Sequence, residues 1–218
     1  MTMTPRPISN KTLFRIRTRQ RLGMKISQKN RYIFEELAPG DIAIDCGANV
    51  GLITEQMVRT GATVHAFEPN PHAFEKLNQK LGEKENVFLH ENAVADKASN
   101  MRLFYREEHA QDPVVYSVGS TLIAEKTDID QSLYADVDVI CFADFLQQFE
   151  YVRMIKIDIE GAEIQVLNDL LAKDLLKRVG LVLVETHETW IPGQVAEIRA
   201  VKQELKARGL TNVFLNWV

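Results

Sequence analysis

The segment DIAIDCGANVG, residues 41–51, limits the possible folds of this chain more than any other stretch. Its residues 42–44 are apolar and predict a short buried strand, which ends at Asp45. Small residues follow in the turn: Gly47, Ala48, Asn49, Val50 and Gly51. Residues 50–60 then have the pattern of a helix. A strand, a glycine turn and a helix N-terminus together can receive a carboxylate or a phosphate. The alternative is an ordinary tight turn between a strand and a helix.

The spacing of the two glycines selects between ligands. The dinucleotide fingerprint needs glycine at the first, third and sixth positions of the turn, and neither the register ending on Gly51 nor the one starting on Gly47 supplies it. The pattern that fits is Asp-x-Gly-x-x-x-Gly, which resembles the first motif of the S-adenosylmethionine-dependent methyltransferases. The resemblance implies that the turn packs against the methionine part of the cofactor and that Asp45 accepts a hydrogen bond from its amino group.

Strand and helix patterns alternate over most of the chain. Further strands are predicted at residues 63–67, 86–90, 152–159, 179–185 and 211–218. Helices are predicted at residues 29–37, 71–81, 142–149, 163–171 and 194–208. The alternation predicts the α/β class, with a doubly wound and mostly parallel sheet. Residues 96–141 break it, because residues 101–106, 114–122 and 136–141 suggest strands; we interpret them as a β-rich insertion on the sheet.

Polar residues follow the second and third predicted strands. Glu68 ends the second strand, 23 residues after Asp45, where doubly wound folds place the acid that bonds the ribose hydroxyls. The alternative for Glu68 is a surface position before a proline turn. Asn92 and Ala93 follow the third strand, and the Asn92 amide could meet the edge of a base.

Charged residues also follow two later strands. In KIDIEGAE, residues 156–163, Lys156, Asp158 and Glu160 alternate with isoleucines, and a buried strand rarely carries three charges without partners. The next strand is followed by ETHE, residues 185–188. Four acidic or imidazole side chains are therefore predicted to face one cleft: Asp158, Glu160, Glu185 and His187. Such a group suits a divalent cation or general base catalysis.

Taken in order, these motifs resemble one family. DCGANVG, FEPN, ENAV, KIDIEGAE and LVLVETH follow one another as in the FkbM family of S-adenosylmethionine-dependent methyltransferases, over about residues 40–190. Membership implies the Rossmann-like class I methyltransferase fold and methyl transfer to an oxygen, commonly a hydroxyl of a saccharide or a polyketide. The resemblance implies that S-adenosylmethionine is held by Asp45, Gly47, Ala48, Asn49, Gly51, Glu68, Asn92, Ala93 and Asp158. It assigns to the reaction end Lys156, Asp158, Glu160 and His187. The chain departs from the family in its basic N-terminus and in a single terminal strand, where the common fold has a hairpin.

We predict that His187 is the base that takes the hydroxyl proton, with Asp158 as an acid on the cofactor or metal side. A divalent metal is the less favoured alternative, because Lys156 lies close in sequence and can neutralise one of the acids. A non-catalytic cofactor-binding module of the same fold, or a methyltransferase acting on protein or nucleic acid, remains open. The predicted partner is a small-molecule hydroxyl acceptor. Nucleic acid is not expected, because the body of the chain is acidic and has no basic cleft signal. A homo-oligomer is left open.

The N-terminus differs in charge from the rest of the chain. Residues 1–34 contain nine Lys or Arg and no Asp or Glu, which leaves 17 basic against 30 acidic residues elsewhere. We predict a basic N-terminal extension, residues 1–34, before a methyltransferase domain, residues 35–218. Such a block could meet an anionic substrate or a membrane surface. A solvated arm, or a helix packed on the acidic body, is favoured by the apolar residues between the charges: Leu13, Phe14, Ile16, Leu22, Met24 and Ile26.

Cysteine use and hydropathy bear on the compartment. Cys46 and Cys141 are the two cysteines, a number that suggests a reducing environment rather than a disulfide scaffold. No apolar run approaches the length of a membrane span, and the N-terminus has no signal-peptide h-region. We therefore expect a cytoplasmic protein.

Overall fold

The structure, a computed structural model, describes residues 6–218. The strands in these residues are β1 (Ile42–Cys46), β2 (Thr63–Phe67), β3 (Val87–His90), β4 (Ala93–Ala95), β5 (Ser99–Tyr105), β6 (Asp130–Cys141), β7 (Val152–Ile157), β8 (Val179–Val184) and β9 (Val213–Phe214). The α-helices are α1 (Asn10–Arg21), α2 (Leu52–Val58), α3 (Pro71–Leu81), α4 (Phe142–Leu146), α5 (Glu163–Ala172) and α6 (Gln194–Ala207). Short 3₁₀ helices lie at Arg31–Glu36, Glu107–Ala110, Val115–Ser117 and Leu175–Arg178.

The main sheet has six strands in the order β3-β2-β1-β7-β8-β9, and every neighbouring pair is parallel. Its strands are nearly continuous apolar runs because both faces are covered. In β7, Ile155 and Ile157 point into the core on the α5 and α6 side, while Met154 points into the core on the α2 and α3 side. The predicted α/β class and doubly wound parallel sheet are confirmed.

The order of the strands explains where a ligand can bind. The chain runs outward from β1 through β2 to β3, then returns to β7 on the other side of β1. Connections that leave β1 and β7 in opposite directions open a crevice at the carboxyl ends of these strands. The charged motifs of the sequence end at this edge.

The predicted insertion, residues 96–141, supplies β5 and β6 of a second, three-stranded sheet in the order β4-β6-β5. Strand β4 precedes the predicted bounds and pairs parallel with β6. Strand β6 begins at Asp130, earlier than the sequence predicts, and pairs antiparallel with β5. The predicted strand at residues 114–122 is wrong, because these residues form a 3₁₀ helix and turns. The Asp112 carboxylate accepts hydrogen bonds from the backbone N–H groups of Val114 and Val115, and this local bonding competes with a strand.

Two end regions also differ from their predicted form. The helix predicted at residues 29–37 is the 3₁₀ helix Arg31–Glu36. The predicted last strand is reduced to β9, and the N-terminal segment continues the pairing beyond it: Ile26 forms a parallel bridge with Trp217. The backbone N–H of Ile26 donates to Asn216 O, and that of Val218 donates to Ile26 O. The N-terminal segment thus covers backbone groups at the sheet edge.

The basic N-terminal segment packs on the sheet. Its first five residues lie outside the described part of the chain, and Ile8, Ile16 and Ile26 are buried in the core with α2 and α3. Within residues 6–218, no helix has the length and apolar character needed to cross a bilayer. The boundary between residues 34 and 35 stays a prediction.

Candidate active site

A cavity opens at the carboxyl edge of the main sheet. It measures about 700 Å³ with its open mouth included, a size typical of small-molecule sites. Its lining combines polar groups with apolar side chains of the insertion, such as Leu103 and Leu122. Of the residues predicted to hold a cofactor or to react, those that line it are Gly47, Asn49, Glu68, Asn92, Ala93, Asp158 and Glu160. The structure therefore brings most of the predicted set to one cavity.

The turn after β1 is fixed by its backbone conformation. Gly47 has φ of 77°, and a Cβ added to it would lie 1.8 Å from the backbone oxygen of Asp158. Only glycine allows the loops after β1 and β7 to approach this closely. Asn49 has φ of 48°, a conformation that asparagine tolerates better than most residues. Its side-chain nitrogen donates to Ser117 Oγ at 2.9 Å, so Asn49 joins the turn to the insertion.

Two predicted cofactor residues of this turn lie outside the cavity lining. A Cβ on Gly51 would lie 2.7 Å from the side chain of Leu77, so this glycine lets α3 pack against the turn. Ala48 is buried in the core, and its N–H donates to the backbone oxygen of Phe67. These residues shape the turn, and their predicted contact with the cofactor stays a prediction.

Glu68 is the buried acid of the cavity. Its carboxylate accepts hydrogen bonds from the backbone N–H groups of Asn49, at 2.7 Å, and Asn70, at 2.8 Å. Burial raises the pKa of Glu68 to about 7, although these two hydrogen bonds act to lower it. A buried carboxylate with acceptor capacity left over suits a ligand with adjacent hydroxyl donors, as a ribose has.

Asp45 and Lys156 form a buried ion pair behind the cavity. The Lys156 ammonium lies 3.2 Å from Asp45 Oδ1 and 3.4 Å from Asp158 Oδ2, and it donates to the backbone oxygen of Gly47 at 2.6 Å. The other oxygen of Asp45 accepts from Thr54 Oγ1 at 2.7 Å. Burial lowers the pKa of Lys156, but the charges of Asp45 and Asp158 outweigh burial and raise it. Both side chains thus hold the ends of β1 and β7 together.

His187 lies in the acidic cluster that the sequence predicts. Its Nδ1 is 3.0 Å from Glu163 Oε1, and its Nε2 is 3.3 Å from Glu160 Oε2 and 3.9 Å from Asp158 Oδ1. Burial lowers the pKa of His187, but the hydrogen bond to Glu163 and the charges of the three carboxylates outweigh it and raise the pKa to about 9. The raised pKa favours the imidazolium form of His187 at neutral pH, in which both ring nitrogens can donate to the surrounding carboxylates.

Glu185 differs from the other acids of the cluster. It follows β8 directly, and its backbone N–H donates to Ile157 O, so it lies beside the end of β7. Within residues 6–218, its carboxylate has no hydrogen bond or ion pair to another side chain, whereas those of Asp158, Glu160 and Glu163 all do. Burial, and then the charge of Asp158, raise the pKa of Glu185 to about 7. Its carboxylate is free to bond to a ligand.

The insertion supplies contacts that sequence reasoning missed. Lys126 is buried, and its ammonium donates to Glu160 Oε2 at 2.7 Å and to the backbone oxygen of Gly119 at 2.9 Å. Thr121 donates to the backbone oxygen of Glu160 at 2.6 Å. These bonds hold Glu160, which has φ of 57°, against the insertion. The missed acid Glu163 is fully buried and accepts from the N–H groups of Ile159 and Gly161.

Three side chains of the cluster could hold a divalent cation. Asp158, Glu163 and His187 offer ligand atoms that lie within 4.8 Å of one another. These atoms already have protein partners, since Glu163 bonds to two backbone N–H groups and to His187, and Lys156 lies 3.4 Å from Asp158. A cation would compete with the imidazolium and with this ammonium group.

The sequence matches one family over most of its length. A profile of the methyltransferase FkbM domain covers residues 45–210. A relative from Streptomyces tacrolimicus, 31-O-demethyl-FK506 methyltransferase FkbM, is 26% identical over 82% of this chain and 75% of its own length. Hexuronic acid methyltransferase AglP from Haloferax volcanii is 25% identical over 77% of this chain and 65% of its own length.

Among solved structures, the FkbM methyltransferase from Methylobacillus flagellatus aligns with a TM-score of 0.49 and 13% identity. The alignment covers 78% of this chain and 38% of that one. The chain thus spans well under half of that protein, and just under two thirds of the Haloferax relative.

Proposed function

This chain belongs to the FkbM family of S-adenosylmethionine-dependent methyltransferases, and we propose that it methylates a hydroxyl oxygen of a small molecule. The observation that carries the proposal is that one cavity joins the two halves of such a reaction. The cavity is lined by the turn after β1 and by Glu68, and also by Asp158 and Glu160 of the acidic cluster. Glu185, the acid to which we assign the proton below, follows β8, and its backbone N–H donates to Ile157 O, next to Asp158 of the cavity lining.

The cavity residues suit the cofactor. Gly47 and Asn49 of the turn line the cavity, and Glu68 offers a buried carboxylate that we assign to the ribose hydroxyls. Asn92 and Ala93 line the same cavity, and we assign them to the adenine. When bound, S-adenosylmethionine supplies a methyl group activated by a sulfonium. Asp45 is fully buried and bonded to Thr54 and Lys156, so we assign it to holding the turn.

The acceptor class follows from the site and from relatives. The names of the two relatives point to an oxygen of FK506 and to a hexuronic acid, both hydroxylated small molecules. An alcohol is a poor nucleophile until its proton is removed, so the protein must supply a base beside the acceptor. The acidic cluster can supply one, and its surplus of carboxylates disfavours a nucleic acid as acceptor.

We assign Glu185 as the base that takes the proton of the acceptor hydroxyl, and we assign His187 a positioning role. The sequence predicts His187 as the base, but both of its ring nitrogens face carboxylates and it is already protonated at neutral pH. Glu185 has a free carboxylate and a pKa of about 7, close to the operating pH that favours a general base. The His187 cation then offsets the charge of the surrounding acids.

Mass spectrometry tests the function as a whole. The protein is mixed with S-adenosylmethionine and an extract of saccharides and secondary metabolites from the producing cell, and products heavier by one methyl group are sought. The proposal expects a methylated small molecule and formation of S-adenosylhomocysteine. Cofactor binding without turnover would support a non-catalytic cofactor-binding module. Methylated protein or nucleic acid would support a methyltransferase that acts on macromolecules.

Replacing Glu68 with glutamine should weaken S-adenosylmethionine binding by about 10–100-fold, because hydrogen bonds to a charged acceptor contribute about 1.5–3 kcal/mol each. The affinity of the unchanged protein should rise with pH through about 7, since the ligand's hydroxyls bond better to the ionised carboxylate. Calorimetry across this pH range measures both effects. Glu91→Gln, at an exposed acid near the cavity, is the matched control. Equal affinity and equal pH dependence in Glu68→Gln would contradict the assignment.

Removing divalent cations should leave methyl transfer unchanged. The side chains that could bind a cation are already paired with the His187 imidazolium, backbone N–H groups and Lys156. The rate is measured with the identified acceptor before and after treatment with a chelator. Loss of activity that magnesium or manganese restores would show that the metal alternative is the right one.

A further inference from the structure

Helix α1 exposes apolar side chains that the sequence predicts to be buried. Ile16 is fully buried, but Phe14 is 71% exposed, Leu22 68% and Met24 43%. Large apolar side chains grouped at one surface are unusual in a folded protein unless another surface covers them. The charges around Phe14, Leu22 and Met24 indicate which kind of surface could cover them.

The exposed groups lie away from the buried side of the helix. At 100° per residue, Thr12 and Ile16 form the buried face of α1, and Phe14 and Arg21 lie on the opposite face. Leu22 ends the helix beside this face and Met24 follows it. This exposed face, from Lys11 to Met24, is named the α1 face below.

Cations surround the apolar groups on the α1 face. Helix α1 contains Lys11 and four arginines and no acidic residue. A groove between α1 and α6 adds two lysines of α6, so that its cations are Arg17, Arg21, Lys202 and Lys206. In the described part of the chain, no acidic residue lines this groove. At the border of this groove, Glu188 on the loop after β8 faces Lys25 and Lys202.

We infer that the α1 face docks on an anionic lipid surface. An amphipathic helix with arginines beside an exposed phenylalanine and leucine lies in the interface, where lipid headgroups attract the cations and the apolar side chains enter the acyl boundary. A second copy of the chain would bring like charges together. The phosphates of a nucleic acid would pair with the cations, but they would not cover the exposed apolar side chains of Phe14 and Leu22.

The docked face lies beside the reaction end of the site. Gly23, Met24 and Lys25 line a second groove together with Thr186 and Thr189, from the loop that carries His187. Docking would therefore bring the loop after β8 close to the lipid headgroups. The inference rests on the α1 face alone and holds whether or not the acceptor is itself lipid-linked.

Vesicle flotation with the full chain tests the inference. Vesicles of phosphatidylcholine containing a quarter phosphatidylglycerol should carry the protein upward, vesicles of phosphatidylcholine alone should not, and high salt should reduce binding. Arg17→Gln with Arg21→Gln should weaken binding by about 25-fold, since each cation near an anionic surface contributes about fivefold. Phe14→Ser with Leu22→Ser should weaken it by about tenfold or more.

Matched variants separate this surface from general charge and hydrophobicity. Lys76→Gln with Lys84→Gln makes the same charge change at two exposed lysines elsewhere, and Phe88→Ser removes a phenylalanine that is 50% exposed on β3. Both controls should bind vesicles as the unchanged protein does. The inference is overturned if the unchanged protein does not float with anionic vesicles, if the controls lose as much binding as the α1 variants, or if RNA displaces the protein from the vesicles. Circular dichroism verifies that each variant is folded.

Discussion

Glu185→Gln is expected to lower kcat by about 10²–10⁴-fold, the usual contribution of a general base. Glutamine keeps the size and position of the side chain at the end of β8 but cannot take the acceptor's proton at neutral pH. Cofactor affinity should change little, because Glu185 lies outside the lining of the cavity. Single-turnover kinetics with the identified acceptor, together with calorimetry for S-adenosylmethionine, separate the two quantities.

The pH dependence distinguishes Glu185 from His187 as the base. A base works in its deprotonated form, so with Glu185 the rate should rise with pH through about 7. It should fall again through about 9, where His187 loses the proton that offsets the neighbouring carboxylates. If His187 were the base, the rate would instead rise through about 9. The midpoint of the rising limb therefore decides between the two residues.

Glu188→Gln is the control for the base assignment. It makes the same chemical change three residues along the same loop, at a side chain that faces the groove with Met24 and Lys25. Its kcat and pH profile should match those of the unchanged enzyme. A Glu185→Gln enzyme with full activity and an unshifted profile would exclude Glu185, and His187→Ala would then be the variant to examine.

The parts of the site that the sequence predicts are those set by local structure. Gly47 and Asp45 stand in a short strand–turn unit whose backbone conformation requires glycine, and Glu68 directly follows the short strand Thr63–Phe67. Parallel strands then bring their carboxyl ends to one edge without further information. For this reason, residues far apart in the sequence could be assigned to one cavity.

The parts that the sequence does not predict depend on tertiary contacts of the insertion. Lys126 stands in a polar stretch that looks like a solvated loop, and only the folded chain brings it to Glu160. Glu163 did carry a signal, because an acid in the first turn of a helix can accept from the backbone before it. The protonated state of His187 follows from three carboxylates around it, which motif order alone cannot place.

The basic N-terminal segment illustrates a different limit. Alternation of charged and apolar residues predicts burial for Phe14 and Ile16 alike, but a helix on a surface buries one face only. The structure buries Ile16 and exposes Phe14.

The sequence around Arg153 also held information that the sequence analysis did not use. An arginine inside a strand covered on both faces needs buried partners.

Arg153→Met is expected to destabilise the fold by about 3–5 kcal/mol, the usual cost of removing one partner from a buried ion pair. Arg153 is almost fully buried, and its guanidinium donates to Glu36 Oε2 at 2.9 Å, to the backbone oxygen of Glu36 at 2.9 Å and to that of Pro7 at 3.2 Å. Methionine fills similar space but leaves the Glu36 carboxylate and these carbonyl groups without their donor. Urea unfolding measures the free-energy difference.

Two further variants isolate the buried charge as the cause. Arg59→Met removes an exposed arginine from its pair with Glu55 and should cost less than about 1 kcal/mol. Arg153→Met with Glu36→Gln should be more stable than Arg153→Met alone, because the unpaired charge is gone while the new amide side chain can still bond to Ser9. A double variant that is no more stable than the single one would show that packing, rather than charge, accounts for the loss.

The stability lost in Arg153→Met should depend on pH in a direction set by the pKa of Glu36. Burial raises the pKa of Glu36, but hydrogen bonds from Ser9 and Thr12 and the charge of Arg153 outweigh burial and lower it. A carboxyl with a lowered pKa in the folded state stabilises the fold above its unfolded pKa of about 4.3, and this stabilisation is lost as the pH falls through the folded value. The difference in unfolding free energy between the unchanged protein and Arg153→Met should therefore be largest near neutral pH and shrink under acid conditions. A difference that stays constant into acid would mean that Arg153 acts through its backbone contacts to Glu36 and Pro7 and not through the Glu36 charge.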